Sequence, residues 1–403
     1  MELSSVKFNF NCPKIIFGRN KIEELGREAL NCIKAKDKED ATILLITGRV
    51  SLEKSGALKR IKDILDETNI PFQVYNEVGV EPTTSIVDTG KDIALKEKCR
   101  IIVGIGGGSV MDTAKAIAGL VTNGGTVEEY LAGKIFKKKS LPFILVPTTS
   151  GTGSEVTNNS VIKNHNTGEK KSIRGLWATL ALLDPVLTLS LPKKYTAYSG
   201  ADALVQAIEA LVSKSRNYIS DFFSRESIRI LGEYLPKTCD DLSNIEFREN
   251  MMLGSLLGAI SFANGKLGAV HGFAHPIGIK HGLPHGLICG MLLPHVMKYN
   301  IELSDVVDKY AWIAREFHKK QILFDHGKCK RDLPLNKKKK AKWVIEKIED
   351  IFHHIGIPKR LSEVGIKEEH LNDIVKDTKG SSLANNPRDT DIKSLKGILL
   401  GAL

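Results

Sequence analysis

No run of about eighteen consecutive apolar residues occurs in this chain, which argues against a membrane-spanning helix. The first residues, MELSSVKFNFNCPKIIFG, lack a basic start followed by a long apolar stretch, so they read as a strand and not as a signal peptide. No CxxC pair occurs among Cys12, Cys32, Cys99, Cys239, Cys289 and Cys329, and these scattered residues read as unpaired thiols of a cytoplasmic, reducing compartment. There is no internal repeat, and low complexity is confined to one lysine run. Charge of one sign is in excess: the net +11 is concentrated between Lys319 and Lys342, where nine Lys and one Arg face two Asp. A patch for nucleic acid or an anionic surface is one reading of Lys337, Lys338, Lys339 and Lys340. A solvated surface segment is the other, favoured because no aromatic residues are interleaved there, so no nucleic-acid partner is expected.

What is present suits two cores: 403 residues, of which 42 % are hydrophobic and 26 % charged. In the first half, ATILLIT (41–47), PFQVYNEV (71–78), CRIIVGIG (99–106) and LPFILVPTT (141–149) predict strands. The intervening LEKSGALKRIKDILDET, TTSIVDTGKDIALKEK and SVMDTAKAIAGLV carry helical periodicity. Strands alternating with helices predict a parallel sheet covered on both faces. From Leu191-Pro192 onward the pattern turns wholly helical. The expected architecture is an α/β dinucleotide-binding, Rossmann-like domain over 1–190 followed by an all-α domain over 191–403.

GIGGGSVMDTAKAIA (104–118) leaves a buried-looking strand and opens a helix. Gly106, Gly107 and Gly108 let backbone approach a pyrophosphate, and the helix N-terminus offers free N–H groups to it. Ser109 is expected to cap this helix, with Asp112 in capping-box position. Since Ser109 replaces the third glycine of GxGxxG, the same residues also suit a plain tight turn. A second loop, PTTSGTGSEVT (147–157), offers Thr148, Thr149, Thr152 and Thr157 to a ribose or nicotinamide, or is simply a hydroxyl-rich turn. Two such loops at adjacent strand ends fit a crevice at the carboxyl edge of a parallel sheet.

In the helical half, five of eleven histidines crowd into 269–300: His271, His275, His281, His285 and His295. His271 and His275 share a helix face at i, i+4, as do Asp202 and Gln206 upstream. Imidazole and carboxylate suit Fe²⁺ or Zn²⁺. A lone histidine is more often a satisfied core or surface residue, but five among glycines and prolines point to a site.

Taken with LLDP (182–185), GADALVQAIEALVS, AVHGFAHPIG, LPHG, LLPHVMKYN and NNPRDTDIKSL, these motifs resemble the iron-containing (group III) alcohol dehydrogenases over nearly the whole chain. The resemblance implies an NAD(P)-dependent enzyme that transfers hydride between the cofactor and a small primary alcohol or aldehyde, with its active site in the cleft between the two domains. It implies Asp202, Gln206, His271 and His285 as ligands of a divalent metal, with His275 beside the nicotinamide in proton relay or substrate positioning. Gln206 departs from the pattern's histidine, and an amide oxygen is a poorer ligand for Fe²⁺ or Zn²⁺, so partial occupancy is expected. Lys171 is assigned to the cofactor side with Gly106, Gly107, Gly108, Ser109, Thr148, Thr149 and Thr157. NAD-preferring members often carry an acidic residue after the second strand, where this chain has Gly48. With Ser51, Lys54 and Arg49 nearby, NADP(H) is expected over NAD(H). His281 stays open between substrate and surface, and His295 reads as support. A homodimer or larger homo-oligomer is expected. The rivals are a metal-independent reductase similar to maleylacetate reductases, a silent nucleotide-binding protein, and a nucleic-acid binder.

Overall fold

The computed structural model describes residues 8–33, 41–320 and 333–403. They form two compact units, Cys12–Leu191 and Pro192–Leu403, the second joined by residues up to Asn11. Residues 8–11 side with the helical unit although the sequence boundary places them before the sheet. Phe10 stacks on Phe223 with centroids 6.1 Å apart, and Asn11 N donates to Asn264 Oδ1 at 3.2 Å. Among the described residues no helix is long and apolar enough to cross a membrane.

The α/β unit runs β1 (Lys14–Phe17), α1 (Leu25–Cys32), β2 (Thr42–Gly48), α2 (Ser51–Lys54), α3 (Ala57–Asp66), β3 (Phe72–Val78), α4 (Thr84–Lys96), β4 (Cys99–Gly106), α5 (Gly108–Asn123), α6 (Val127–Leu131), β5 (Phe143–Pro147), β6 (Asn159–Lys163), β7 (Lys170–Arg174) and β8 (Leu180–Leu183). Six strands form one parallel sheet in the order β1-β8-β5-β4-β2-β3. Because side chains alternate along a strand, Leu44 and Ile46 enter one core with Ile102 and Leu145. Ile43 and Leu45 enter the opposite core with Val103 and Val146. This two-sided burial is why the β-branched runs of β2 and β4 carry almost no polar residue.

The sequence misses β6, β7 and β8. β6 and β7 pair antiparallel outside the main sheet, and KKSIR on β7 is too charged to read as a strand. The helix predicted through LEKSGALKRIKDILDET is split into α2 and α3 at Gly56, whose φ of 75° is left-handed and costs a glycine little.

The helical unit contains α7 (Lys193–Val212), α8 (Tyr218–Asp240), α9 (Ile245–Gly265), α10 (Ala269–His281), α11 (His285–Asn300), α12 (Ser304–Lys319), α13 (Lys337–His354), α14 (Leu371–Asp377), α15 (Ser381–Ala384) and α16 (Ile392–Ala402). From Thr196 on, α7 is buried almost all round and packs against α8, α9 and α11. Glycines permit that closeness: a Cβ at Gly200 would lie 2.4 Å from Leu235 Cδ1, and one at Gly254 2.8 Å from Leu231. Lys337–Lys340 form the first turn of α13, capped by Asn336, with Lys337, Lys338 and Lys339 exposed. Lys337 pairs with Asp308 at 2.8 Å and Lys338 with Glu302 at 3.4 Å, as an ordinary solvated face does. The rest of the basic segment, 321–332 with Cys329, lies outside the described residues.

One buried cation ties the α/β unit together. Lys115 of α5 is wholly buried; its Nζ donates to Asn159 O at 2.8 Å and Thr157 Oγ1 at 3.2 Å, and lies 3.7 Å from Asp112 Oδ1. Burial lowers its pKa to about 8 against the opposing pull of Asp112 and Glu155. Lys115→Met leaves Asp112 and the Asn159 carbonyl without their cation. The expected loss of unfolding free energy is about 3–5 kcal/mol, read from urea denaturation. A loss below about 1 kcal/mol would show that the lysine is not a structural tie.

Candidate active site

In the α/β unit the register aligns Gly106 with Pro147 and Thr47 with Ile105, so Gly48, the glycine turn and the Thr148–Thr149 loop all leave the same edge of the sheet. Successive crossovers run β2 to β3 one way and β4 to β5 the other. The strand order therefore reverses between β2 and β4, which opens a crevice at that point. Thr148 N donates to Gly106 O at 3.0 Å and stitches the two loops. Close packing accounts for two of the glycines: a Cβ at Gly106 would meet Val110 Cγ2 at 2.6 Å, and one at Gly108 would meet Thr152 Cγ2 at 2.9 Å.

The expected capping box at Ser109 is not formed. Gly107 occupies the N-cap, and Ser109 Oγ donates to Val80 O at 2.6 Å. Asp112 instead accepts from Ser154 Oγ at 2.6 Å and Val161 N at 2.9 Å, fastening the second loop and β6 to α5. These long-range partners win because Asp112, pushed upward in pKa by its burial, needs donors that water cannot supply.

Thr157 turns inward, accepting from Lys115 and donating to Ser154 O at 3.3 Å. Lys171 on β7 is half exposed and pairs with Glu169 at 2.9 Å. Ser51 and Lys54 lie on α2 immediately after Gly48. Arg49 is engaged by Glu77, through Nε to the backbone oxygen at 3.1 Å and Nη2 to the carboxylate at 3.5 Å.

The second cluster lies wholly in the helical unit. Asp202 and Gln206 stand one turn apart on the buried α7. His271 is in the first turn of α10, and His285 opens α11 after the Gly282–Pro284 link, where Gly282 takes a left-handed φ of 65°. Gly286 lets α11 sit against α7, since a Cβ there would lie 2.0 Å from Tyr198 O. His271 Nε2 is 3.3 Å and His285 Nε2 3.7 Å from Asp202 Oδ1. Gln206 Nε2 donates to the other carboxylate oxygen, Asp202 Oδ2, at 3.0 Å.

Sequence reasoning missed two members. Glu209 accepts from His271 Nδ1 at 2.7 Å and from Val270 N at 2.7 Å. Cys289 Sγ lies 3.6 Å from His285 Nε2. Both carried a signal: Glu209 is seven residues from Asp202 on one helix, and Cys289 is four from His285. His275, half-buried, follows His271 by one turn of α10. His281 lies against His370, with ring centroids 4.8 Å apart, and takes no part in the cluster. His295 Nε2 is buried beside α13 and Ile357, in a separate cavity.

Burial opposes a charge on His271, but the carboxylates of Asp202 and Glu209 outweigh it and lift its pKa to about 10. Burial also pushes Asp202 upward, and His285 and His271 bring it below its usual value. Asp202 Oδ1 and His271 Nε2 are both buried, yet neither has a hydrogen-bond partner although they are 3.3 Å apart. With His285 Nε2 at 3.7 Å from the same Asp202 oxygen, these atoms gather closely enough to share one cation. One ligand atom each of Asp202, His271, His285 and Cys289 fit within 4.8 Å of one another. This donor set fits a divalent first-row ion.

In chelator-treated protein, Glu209→Gln is expected to bring the His271 midpoint down from about 10 toward the ordinary value of ~6.5. Imidazole proton shifts by NMR follow it, with His271→Asn as the assignment control. Because the folded value lies above the unfolded one, the proton's contribution to stability is complete below about pH 6.5 and is lost as pH rises through about 10. The urea midpoint of the variant should therefore vary less over that window. A midpoint unmoved by Glu209→Gln would remove the second carboxylate from the account.

Comparison with known proteins covers both units. The family model of iron-containing alcohol dehydrogenase matches residues 12–185, and that of the C-terminal part of the Fe-containing alcohol dehydrogenase family matches 196–403. The chain is 30 % identical over 394 residues to the NAD-dependent methanol dehydrogenase of Bacillus methanolicus, covering 97 % of this chain and 98 % of that protein. It is 32 % identical over 397 residues to the 1,3-propanediol dehydrogenase of Citrobacter freundii, covering 97 % of each. A crystal structure of a 1,3-propanediol oxidoreductase superimposes with a TM-score of 0.90 at 30 % identity, over 98 % of this chain and 100 % of that one. Motif order, fold and whole-length similarity agree: the chain belongs to the iron-containing alcohol dehydrogenase family.

Proposed function

We propose that this alcohol dehydrogenase transfers hydride reversibly between NADP(H) and a small primary alcohol or aldehyde, with a divalent ion held by Asp202, His271 and His285. The reading is carried by one observation, the buried Asp202 Oδ1 and His271 Nε2, which have no hydrogen-bond partner and lie together beside His285. When bound, such an ion supplies Lewis acidity to the substrate oxygen. The chain's own residues do the rest. Glu209 holds His271 by Nδ1 and so directs Nε2 inward, and a bond of this kind typically affects metal affinity by about 10–100-fold. His275 is assigned the alcohol proton, or substrate positioning. Gly106, Gly107, Gly108, Ser109, Thr148 and Thr149 receive the dinucleotide, whose nicotinamide carries the redox step. Thr157 and Lys171 act from behind, the first through Lys115 and the second on the hairpin. The proposed assembly is a homodimer or larger homo-oligomer, measured by light scattering.

A panel of alcohols and aldehydes with each cofactor tests this reading. Activity should fall on chelation by at least about tenfold and return with Fe²⁺ or Zn²⁺. Full activity indifferent to chelator would replace it with a metal-independent reductase.

The cofactor preference rests on Gly48, which presents no carboxylate to a 2′-phosphate, and on Ser51 and Lys54 just beyond it. The Bacillus methanolicus relative is named for NAD, a property of that protein. A charge-assisted contact contributes about 1.5–3 kcal/mol, so kcat/KM should favour NADPH at least about tenfold. A Cβ at Gly48 would meet only Ser51 Oγ at 3.7 Å, Val78 O at 3.8 Å and Val110 Cγ2 at 3.9 Å, so Gly48→Asp fits and should move the preference toward NADH. Equal or better kcat/KM with NADH in the unaltered protein would overturn the assignment.

A further inference from the structure

We infer that Cys289 supplies the fourth ligand of the ion, while the Gln206 amide nitrogen steadies Asp202 from the side. This rests on the metal-site reading of Asp202, His271 and His285 proposed above.

The geometry separates the two candidates for the fourth place. The Gln206 amide nitrogen donates to Asp202 Oδ2 at 3.0 Å, the oxygen opposite the one that faces His271 and His285. That bond steadies the carboxylate with Oδ1 left for the imidazoles and occupies the amide nitrogen, while Gln206 Oε1 stays buried without a hydrogen-bond partner. Cys289, by contrast, sits one helical turn after His285, so its thiol and the imidazole share one face of α11. Sulfur and imidazole nitrogen are 3.6 Å apart. With Zn–N and Zn–O near 2.0–2.1 Å and Zn–S near 2.3 Å, the edges of a tetrahedral site measure roughly 3.3 Å between N or O atoms and roughly 3.6 Å from N to S. Three of the six separations are 3.3 Å for His271 to Asp202, 3.7 Å for His285 to Asp202 and 3.6 Å for Cys289 to His285, and all six lie within 4.8 Å. Asp202 Oδ1 and His271 Nε2, on side chains more than nine-tenths buried, both lack a hydrogen-bond partner.

As the metal–sulfur bond forms, the thiol proton passes to solvent, and the ion's charge offsets the thiolate introduced beside Asp202. A thiolate restores the anionic, strongly donating fourth position that a neutral amide cannot supply. It also shifts the site's preference from Fe²⁺ toward the softer Zn²⁺.

Co²⁺ is the probe, because a cobalt–thiolate bond gives a near-ultraviolet charge-transfer band that carboxylate and imidazole ligands do not. Full-length protein stripped of metal is titrated with Co²⁺, then with Zn²⁺ in competition with a chelating indicator. The unaltered chain should show the band. Cys289→Ser should abolish it and weaken Zn²⁺ binding at least about tenfold. Gln206→Ala should keep the band and weaken Zn²⁺ less than Cys289→Ser does. If Cys289→Ser fails to fold by circular dichroism, Cys289→Ala takes its place. Co²⁺ bound without the band, a band that survives loss of Cys289, or a larger loss from Gln206→Ala would each overturn the Cys289 assignment while leaving the metal site standing. Failure of the unaltered chain to bind either ion would overturn both.

Discussion

Asp202 holds a carboxylate almost wholly out of water in the middle of α7. A charge so placed persists only where cations and N–H donors replace its lost hydration. Gln206 takes one oxygen, and His271 and His285 gather around the other. The arrangement explains much of the helical unit. α7 must be buried so that water does not compete, its glycine and alanine face must let α8, α9 and α11 come close, and Gly286 must be bare so that His285 reaches the carboxylate. Glu209, one further turn along α7, keeps His271 from rotating away.

A parallel logic governs the α/β unit, with a cation at its centre. Lys115 is surrounded by the carbonyl of Asn159, the hydroxyl of Thr157 and the carboxylate of Asp112. These partners belong to the second loop, to β6 and to α5 itself, so one side chain fixes the relative placement of the helix and of the segment that runs past it. Ser154 and Val161 complete the shell of Asp112. The glycine turn is thereby backed by a polar layer of mutually bonded side chains.

Family membership and local departure sit side by side here. The parallel-sheet unit followed by a helical unit is the architecture of the iron-containing alcohol dehydrogenases, and the chain is similar to a 1,3-propanediol dehydrogenase over nearly its whole length. Gln206 and Cys289 are where this chain's own chemistry is written. The amide of Gln206 bonds the Asp202 carboxylate, and the thiol of Cys289 faces the His285 imidazole.

The sequence by itself determined what depends on period and local chemistry. The buried strands β2, β4 and β5 were legible because two-sided burial forces unbroken apolar runs. The all-helical second half, the glycine turn and the i, i+4 pairs Asp202/Gln206 and His271/His275 were legible because helix geometry fixes which residues share a face. The short β6 and β7 were not, since each gives the core a single isoleucine, Ile162 and Ile173, and β7 is otherwise charged or polar. Tertiary structure alone decided the partners: that Ser109 bonds Val80 and does not cap its helix, that Asp112 reaches Ser154 and Val161, and that Thr157 turns inward to Lys115. It alone decided that Glu209 supports His271. The physical reason is the same in each case. A buried polar atom must find a partner wherever packing puts one, and packing joins residues that sequence separation leaves tens of positions apart.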